Sequence, residues 1–176
     1  MGIFKSSPKL TLKTDKGEVI YETKAPTVRE ALIEAMTQKI FLVGVDLSRV
    51  DLSGLKLIND PDFQGANLMG ADLSGADLEQ GRFWGADFRD ANLAGADLRA
   101  ANLAYADLTN ADLSGANLRH VKLNHANLWE AQFEGADLTD ATFEFAKIDR
   151  IANLQKGLNL DPKWLRRPLL GNFIIS

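Results

Sequence analysis

A five-residue periodicity through the middle of the chain constrains the fold more than any other feature. From Asp62 to Asp149 an apolar residue recurs at every fifth position without a break. These residues are Phe63, Leu68, Leu73, Leu78, Phe83, Phe88, Leu93, Leu98, Leu103, Leu108, Leu113, Leu118, Leu123, Leu128, Phe133, Leu138, Phe143 and Ile148. A period of five fits neither an α-helix, with about 3.6 residues per turn, nor an alternating β-strand. An unbroken internal repeat of this kind predicts a solenoid.

The residues around each apolar position are also regular. Ala stands two positions earlier, except at Pro61, Gly81 and Val121, and the residue between is usually Asp or Asn. This pattern resembles the A(D/N)LXX motif of the pentapeptide-repeat family. Weaker repeats centred on Leu47, Leu52 and Leu57 extend it toward the N-terminus. The resemblance implies an all-β solenoid, a right-handed quadrilateral parallel β-helix. Four pentapeptides form each coil, so slightly more than five coils are expected.

Each position of the repeat then has an expected role. The central Leu or Phe points inward and forms a dry core ladder, and the preceding Ala keeps the corner narrow. Asp or Asn between them can accept hydrogen bonds from backbone amides at the turn. Leu57 and Phe63 lie six residues apart rather than five, which predicts a one-residue bulge near Asn59-Asp60-Pro61. A second slip puts Ala152-Asn153-Leu154 out of phase with Ile148.

The repeats divide the chain into three predicted segments. Residues 1–42 form an N-terminal module, with a hairpin from Leu10–Thr14 and Val19–Thr23 and a helix over about 28–39 that Thr27 and Glu30 cap. This N-terminal module either caps the open first coil or binds a partner. Residues 43–154 form the solenoid.

Residues 155–176 are predicted to contain a short helix from Pro162 to Arg167 and an apolar tail. Candidate contact residues there are Trp164, Leu169, Leu170, Phe173, Ile174 and Ile175. The tail can cover the solenoid or bury against a second copy. In some family members the C-terminal coil makes a symmetric dimer, and a homodimer through this tail is compatible with the sequence.

Charge is divided unevenly along the chain. Residues 1–61 carry nine Lys/Arg and eight Asp/Glu (+1), residues 62–149 six and fifteen (−9), and residues 150–176 five and one (+4). An acidic solenoid disfavours direct contact with nucleic acid and suits a basic protein partner.

The longest apolar run, Ile40–Val45, is too short to span a membrane, so no membrane association is expected. The chain has no Cys, which fits a reducing compartment. The family resemblance implies a bacterial, cytoplasmic protein.

Outward columns provide the candidate interaction surface. If residues twenty apart share a column, Tyr105, His125 and Phe145 line up on one face with Trp84 beside them. Aromatic side chains exposed in register favour a protein-binding surface. The alternative, equally open, is that the C-terminal tail folds back and covers them. Asp77, Asp97 and Asp137 are predicted to form an acidic surface.

The sequence predicts no catalytic, cofactor or metal site. It contains no phosphate-binding loop and no nucleophile elbow. His120 and His125 could approach each other around a corner near Glu130 or Asp140, but a metal site needs three or four converging ligands, and two solvated surface histidines are the favoured interpretation. A non-enzymatic interaction or scaffold protein is therefore expected.

One alternative comes from family members that mimic DNA and protect DNA gyrase, although four arginines interrupt the acidic columns here: Arg82, Arg89, Arg99 and Arg119. A phage or bacterial structural component is a third interpretation, from the arrangement of an N-terminal module followed by repeats.

Overall fold

The computed structural model describes residues 9–57 and 59–148. Strands β1 (Leu10–Lys13) and β2 (Val19–Thr23) are followed by helix α1 (Val28–Thr37), and a four-sided solenoid then extends to Ile148. No helix within the described residues is long and apolar enough to cross a membrane. The predicted C-terminal helix, the apolar tail and the second slip at Ala152 lie outside the described residues.

The hairpin and helix of the N-terminal module follow from local sequence signals. β1 and β2 pair antiparallel, and Gly17 takes a positive φ of 83° in the turn between them. The backbone N–H of Glu30 donates to the hydroxyl oxygen of Thr27, which donates in turn to the Glu30 carboxylate. These two hydrogen bonds fix the start of α1.

Helix α1 ends at Thr37, two residues before the predicted end. Lys39 takes a left-handed φ of 57°, and the N–H of Ile40 donates to the carbonyl of Ala35 at 2.9 Å. The N–H of Lys39 also reaches the carbonyl of Met36 at 3.1 Å. This pair of bonds is a Schellman termination, which satisfies the last carbonyls and turns the chain into the solenoid.

The solenoid has four faces because residues twenty apart pair in parallel. Bridges such as Asp87 to Asp107 and Asp107 to Asn127 repeat along the column, so four pentapeptides complete one coil. We number the faces by their inward residues. Face 1 carries Leu42, Phe63, Phe83, Leu103, Leu123 and Phe143. Face 2 carries Leu47, Leu68, Phe88, Leu108, Leu128 and Ile148; face 3 carries Leu52, Leu73, Leu93, Leu113 and Phe133; face 4 carries Leu57, Leu78, Leu98, Leu118 and Leu138.

Every corner of the described solenoid except the one after Leu57 is the same kind of turn. The N–H three residues after each inward residue donates back to that residue's carbonyl, as Ala66 does to Phe63 at 3.0 Å. The residue before that donor has a positive φ at every fifth position from Gly44 to Gly54 and from Gly65 to Phe145. A single positive φ at the third residue defines a type II turn.

The predicted bulge lies in the first coil. Asp46, Asp51 and Lys56 pair with residues twenty-one positions later, whereas Asp62 pairs with Arg82 twenty positions later. Two consecutive residues, Asn59 and Asp60, have positive φ values of 59° and 50° and accommodate the extra residue at the corner. Leu57, just before this corner, is only partly buried.

The N-terminal module lies over the first coil. Thr14 bridges Val45, the Arg29 guanidinium donates to the carbonyl of Ser53 at 2.8 Å, and the Asn59 amide donates to the carbonyl of Met36 at 3.1 Å. The apolar face of α1 belongs to the same buried cluster as the solenoid core through Ala31, Leu32, Ala35 and Met36. The open end of the column is thus covered by apolar side chains and backbone pairing.

The interior is an apolar ladder. All eighteen inward residues from Phe63 to Ile148 are buried, and no polar or charged residue is buried among the described residues. Phe63 and Phe83 stack with ring centroids 5.5 Å apart, and Phe83 meets Phe88 edge-on at 5.3 Å. Gly81 replaces Ala beside Phe83 because the phenyl ring fills the space where a Cβ would be.

Candidate functional site

Four exposed aromatic rings form a continuous stack along face 1. The Trp84 and Tyr105 centroids are 5.3 Å apart and tilted by 50°. Tyr105 stacks on His125 at 4.5 Å, and His125 stacks on Phe145 at 5.0 Å. Trp84, Tyr105 and Phe145 are each about half exposed, at 47%, 52% and 49%. We call these four residues the aromatic stripe. The structure brings together all the residues that the sequence predicted for this surface.

Three of the four stripe residues have the left-handed backbone that recurs at the solenoid corners, as it does at Gln80 and Glu130. Tyr105, His125 and Phe145 have φ values of 62°, 61° and 59°, at the left-handed position of their type II turns. This conformation costs a residue with a Cβ about 1–2 kcal/mol relative to glycine. Gly65 and Gly85 occupy the same corner in the two preceding coils. The three rings are therefore placed where glycine would satisfy the fold better.

Two further apolar side chains on face 1 were not singled out from the sequence. Phe41 is 85% exposed and Val43 is 50% exposed, and both flank Leu42. The N–H of Gly44 donates to the carbonyl of Gln64 at 2.8 Å, which places this segment in the first coil. The predicted boundary between residues 42 and 43 therefore falls inside a pentapeptide. The signal in the sequence was Leu42 with Gly44 two positions later, which matches an inward residue and its turn.

Face 1 carries most of the large apolar side chains that are exposed. Within residues 9–57 and 59–148, the large apolar side chains that are exposed are Val19, Ile33, Phe41, Val43, Trp84, Tyr105, Trp129 and Phe145. Five of these eight lie on face 1, while Trp129 stands on face 2, where Arg89 and Thr109 separate it from Met69. Contiguous exposed apolar residues mark interaction surfaces, whereas scattered ones do not.

The carboxylates of the repeat act first as turn residues. The Oδ1 atom of Asp72 accepts the N–H of Ser74 at 3.0 Å, and Asp112 accepts that of Ser114 at 2.9 Å. The same bond recurs along the solenoid and satisfies an amide that the turn leaves free. It accounts for the Asp and Asn at this position.

The predicted acidic surface is largely paired with cations. Asp77 lies 3.3 Å from the Lys56 ammonium, and Asp137 lies 3.4 Å from the Arg119 guanidinium. Arg99 contacts both Asp97 at 2.7 Å and Glu79 at 2.8 Å. These pairs reduce the local negative potential on face 4.

The hydrogen bonds in these pairs shift the acid–base equilibria. Hydrogen bonds that Arg99 donates hold the pKa of Asp97 below its ordinary value, and the Thr139 hydroxyl, with smaller help from Arg119, lowers the pKa of Asp137. In both cases the charged carboxylate is the bonded form, so its deprotonated state is favoured in the folded protein.

These lowered pKa values predict a loss of stability in acid. A carboxyl whose folded-state pKa is depressed stabilises the fold above its unfolded-state pKa of about 3.9 and loses that contribution as the pH falls through the folded-state value. We expect the urea midpoint to fall as the pH is lowered below about 5. The midpoint of an Asp97→Asn, Asp137→Asn variant should change less with pH. An unchanged pH profile in that variant would contradict the assignment to these two carboxyls.

One group of acidic residues has the spacing of a metal site. Carboxylate oxygens of Asp77, Glu79 and Asp97 lie within 4.8 Å of one another, the one such group in the described part of the chain. Arg99 and Lys56 already bind them, so their charges are met by protein cations. The histidines do not join a cluster of this kind among the described residues: His120 lies 3.7 Å from Asp140, and His125 is held between Tyr105 and Phe145.

Comparison with protein families identifies the repeat. The model of pentapeptide repeats matches eight copies, over residues 62–85, 83–119 and 116–151. These matches cover just over half of the 176 residues. The chain belongs to the pentapeptide-repeat family. A comparison with curated proteins found no match.

Several solved structures, two pentapeptide-repeat proteins among them, are similar to this chain. One from Nostoc is 35% identical, with 77% of this chain and 96% of that chain covered and a TM-score of 0.36. One from the thylakoid lumen of Arabidopsis thaliana is 27% identical, with 67% of this chain and 74% of that chain covered and a TM-score of 0.35. The plasmid-mediated fluoroquinolone resistance protein QnrB1 is 21% identical, with 69% of this chain and 70% of that chain covered and a TM-score of 0.44.

Proposed function

We propose that this pentapeptide-repeat protein is a non-enzymatic interaction or scaffold protein whose binding surface is the aromatic stripe. The observation that supports this most directly is the continuous stack of four exposed rings on face 1. Tyr105, His125 and Phe145 also have the left-handed backbone of the solenoid corners. Each of these residues bears a conformational cost that glycine in the same column avoids. Each also exposes apolar area to water. A binding role accounts for aromatic residues at positions where folding alone favours glycine.

The geometry of the stripe favours a protein segment over a sugar or a nucleobase. Tyr105, His125 and Phe145 stack with interplanar angles of 9° and 16°, so their faces cover one another and their edges point outward. Sugars and bases bind aromatic side chains through exposed ring faces. Aliphatic and aromatic side chains of a protein can pack against ring edges, which suits this surface.

The N-terminal module supports this role by stabilising the column. Its contacts through Thr14, Arg29 and Met36 cover the first coil, so we assign it the capping function. Terminal caps are needed in solenoids because an uncovered coil exposes apolar area and unpaired backbone. The N-terminal end is then closed to partners, and binding is directed to the side faces.

A glycine substitution series separates binding from folding. We expect the triple variant Tyr105→Gly, His125→Gly, Phe145→Gly to keep an unfolding free energy within about 1 kcal/mol of the wild type, because relief of backbone strain offsets lost stacking. Its affinity for a partner should fall at least tenfold, since aromatic anchors dominate binding energy. Urea unfolding and a binding titration measure the two effects.

The partner for that titration can be found by site-specific crosslinking. A photoreactive residue at Ala104 on face 1 is compared with one at Ala94 on face 3, because both occupy the same half-buried turn position. A protein captured at Ala104 alone is identified, purified and titrated against the wild type and the triple glycine variant. Equal capture at both positions, or equal affinity of both proteins, would exclude the stripe as the binding surface.

DNA mimicry directed at DNA gyrase is a second candidate, favoured by the charge of −9 over residues 62–149. The ion pairs of Asp87, Asp97 and Asp137 with arginine count against it, since they interrupt the continuous negative charge that a DNA mimic needs. A gyrase supercoiling assay with the purified chain tests it. Absence of inhibition at micromolar concentration would remove this candidate.

A further inference from the structure

We propose that the aromatic stripe is occupied, in the isolated protein, by the chain's own segment Leu169–Ile175. This inference rests on the stripe being the binding surface of the proposed function. It adds a regulatory property: an external partner has to displace an internal competitor. The position, composition and charge of the chain that follows the described solenoid support it.

The segment is long enough to reach the stripe. The described part of the chain ends at Ile148, three residues after Phe145, which is the C-terminal end of the stripe. About 20 residues separate Ile148 from Leu169, and an extended chain of that length spans up to about 65 Å. The stripe covers three coil spacings, about 15 Å. The segment can therefore contact every ring of the stripe in the same molecule.

The segment and the stripe are both apolar. Leu169, Leu170, Phe173, Ile174 and Ile175 are five apolar residues in a stretch of seven. Such a stretch is an aggregation hazard when it stays in water. The stripe gathers three apolar rings that are each about half exposed. Contact between the two removes both from water.

The chain after residue 149 is basic and the solenoid as a whole is acidic, with Arg82 and Lys122 as the two cations in the outward column of face 1. Residues 150–176 carry five Lys/Arg and one Asp, whereas residues 62–149 carry six Lys/Arg and fifteen Asp/Glu. Glu144 stands beside Phe145, and Asp107 follows Tyr105 across one corner. Neither carboxylate forms an ion pair within residues 9–57 and 59–148. Basic side chains that precede the apolar segment, such as Arg166, can approach these carboxylates when the segment lies on the stripe.

Tethering raises the concentration of the segment near the stripe. A segment joined by a linker of this length experiences an effective concentration near the millimolar range. A weak intrinsic affinity is therefore sufficient for the segment to occupy the stripe most of the time. A second copy would have to reach comparable concentrations in solution to compete, which favours the intramolecular arrangement.

Tryptophan quenching in the full-length chain tests the proposal. A Trp129→Phe, Trp164→Phe background leaves Trp84 as the reporter on the stripe. A matched Trp84→Phe, Trp164→Phe background leaves Trp129, which stands on face 2 away from the stripe. Leu170→Ser, Phe173→Ser and Ile174→Ser are introduced together into both. We expect acrylamide quenching of Trp84 to increase about twofold with the serine substitutions and that of Trp129 to stay unchanged, because the tethered segment covers only the stripe.

Each other result overturns the inference. Equal quenching of Trp84 with and without the serine substitutions shows an uncovered stripe. Increased quenching of both tryptophans shows a loosened solenoid rather than a displaced segment. Protection of Trp84 that depends on protein concentration, with a dimer mass by light scattering, assigns the stripe to a second copy. The experiment needs no partner, so its failure is distinct from failure of the crosslinking test of the proposed function.

Discussion

Leu103→Ala should lower the unfolding free energy by about 2–5 kcal/mol, the range for a buried leucine in a packed core. Leu103 is fully buried on face 1, in the ladder between Phe83 and Leu123. The coil backbone above and below is tied by hydrogen bonds such as Leu103 N–H to the carbonyl of Lys122 at 2.8 Å. Because these bonds fix the walls, the structure cannot collapse around the missing side chain, and a cavity remains.

Leu57→Ala is the matched control for this effect. Leu57 occupies the same position of the repeat but is only partly buried, next to the bulge at Asn59 and Asp60. The substitution removes less buried apolar area, and the space that it leaves is open to solvent. We therefore expect the unfolding free energy to fall by less than about 1.5 kcal/mol. Urea unfolding followed by circular dichroism measures both variants. Equal losses of unfolding free energy in the two variants would mean that burial within the ladder does not determine the cost of the substitution.

Gly81→Ala should destabilise the protein by about 1–3 kcal/mol through overpacking. A Cβ at this position would overlap Cε2 of Phe83 and lie 3.0 Å from the carbonyl oxygen of Leu78. Phe83 cannot simply move aside, because its ring is stacked on Phe63 and meets Phe88 edge-on. The backbone φ at Gly81 is ordinary, so the cost is steric rather than conformational.

A double-mutant cycle identifies the ring as the source of the clash. In a Phe83→Leu background, Gly81→Ala should cost close to zero, because Ala followed two residues later by Leu is the arrangement found at Ala101 and Leu103. The coupling energy should thus approach the full cost of the single Gly81→Ala change. Thermal and urea unfolding of the four proteins give the cycle. Additive losses would show that Gly81 is required for a reason other than Phe83.

Much of the fold could be predicted because every coil repeats the same pentapeptide, with the same inward positions and the same turn. The inward positions, the narrow Ala corners and the turn-bonding Asp and Asn follow from the five-residue repeat together with the coil geometry that the family resemblance implies. The bulge near Asn59 was predictable from one interval of six residues. The end of α1 was not, because a left-handed Lys39 is not a residue type that marks a helix terminus, unlike glycine.

The candidate site was predictable in part. The expectation that residues twenty positions apart share a column placed Trp84, Tyr105, His125 and Phe145 on one face. The rings are in contact there. The ion pairs that reduce the negative charge of Asp77, Asp97 and Asp137 were not deduced, because they depend on the conformations of long, flexible side chains, several of which reach into a neighbouring coil. Phe41 and Val43 were missed because the first pentapeptide lacks the Ala and Asp of the later repeats.

The covered N-terminal end of the column also has a consequence for how the chain acquires its structure. The hairpin and α1 are built mainly from contacts close in sequence, and Val45 pairs with Thr14 of the N-terminal module. During synthesis this module emerges before any coil, and domains form as their residues leave the ribosome. We expect each new coil to pair with one that is already in place, so that during synthesis growth proceeds from this module toward the C-terminus. The loop that must close at each step is about one coil long, which keeps the entropy of every addition small and equal.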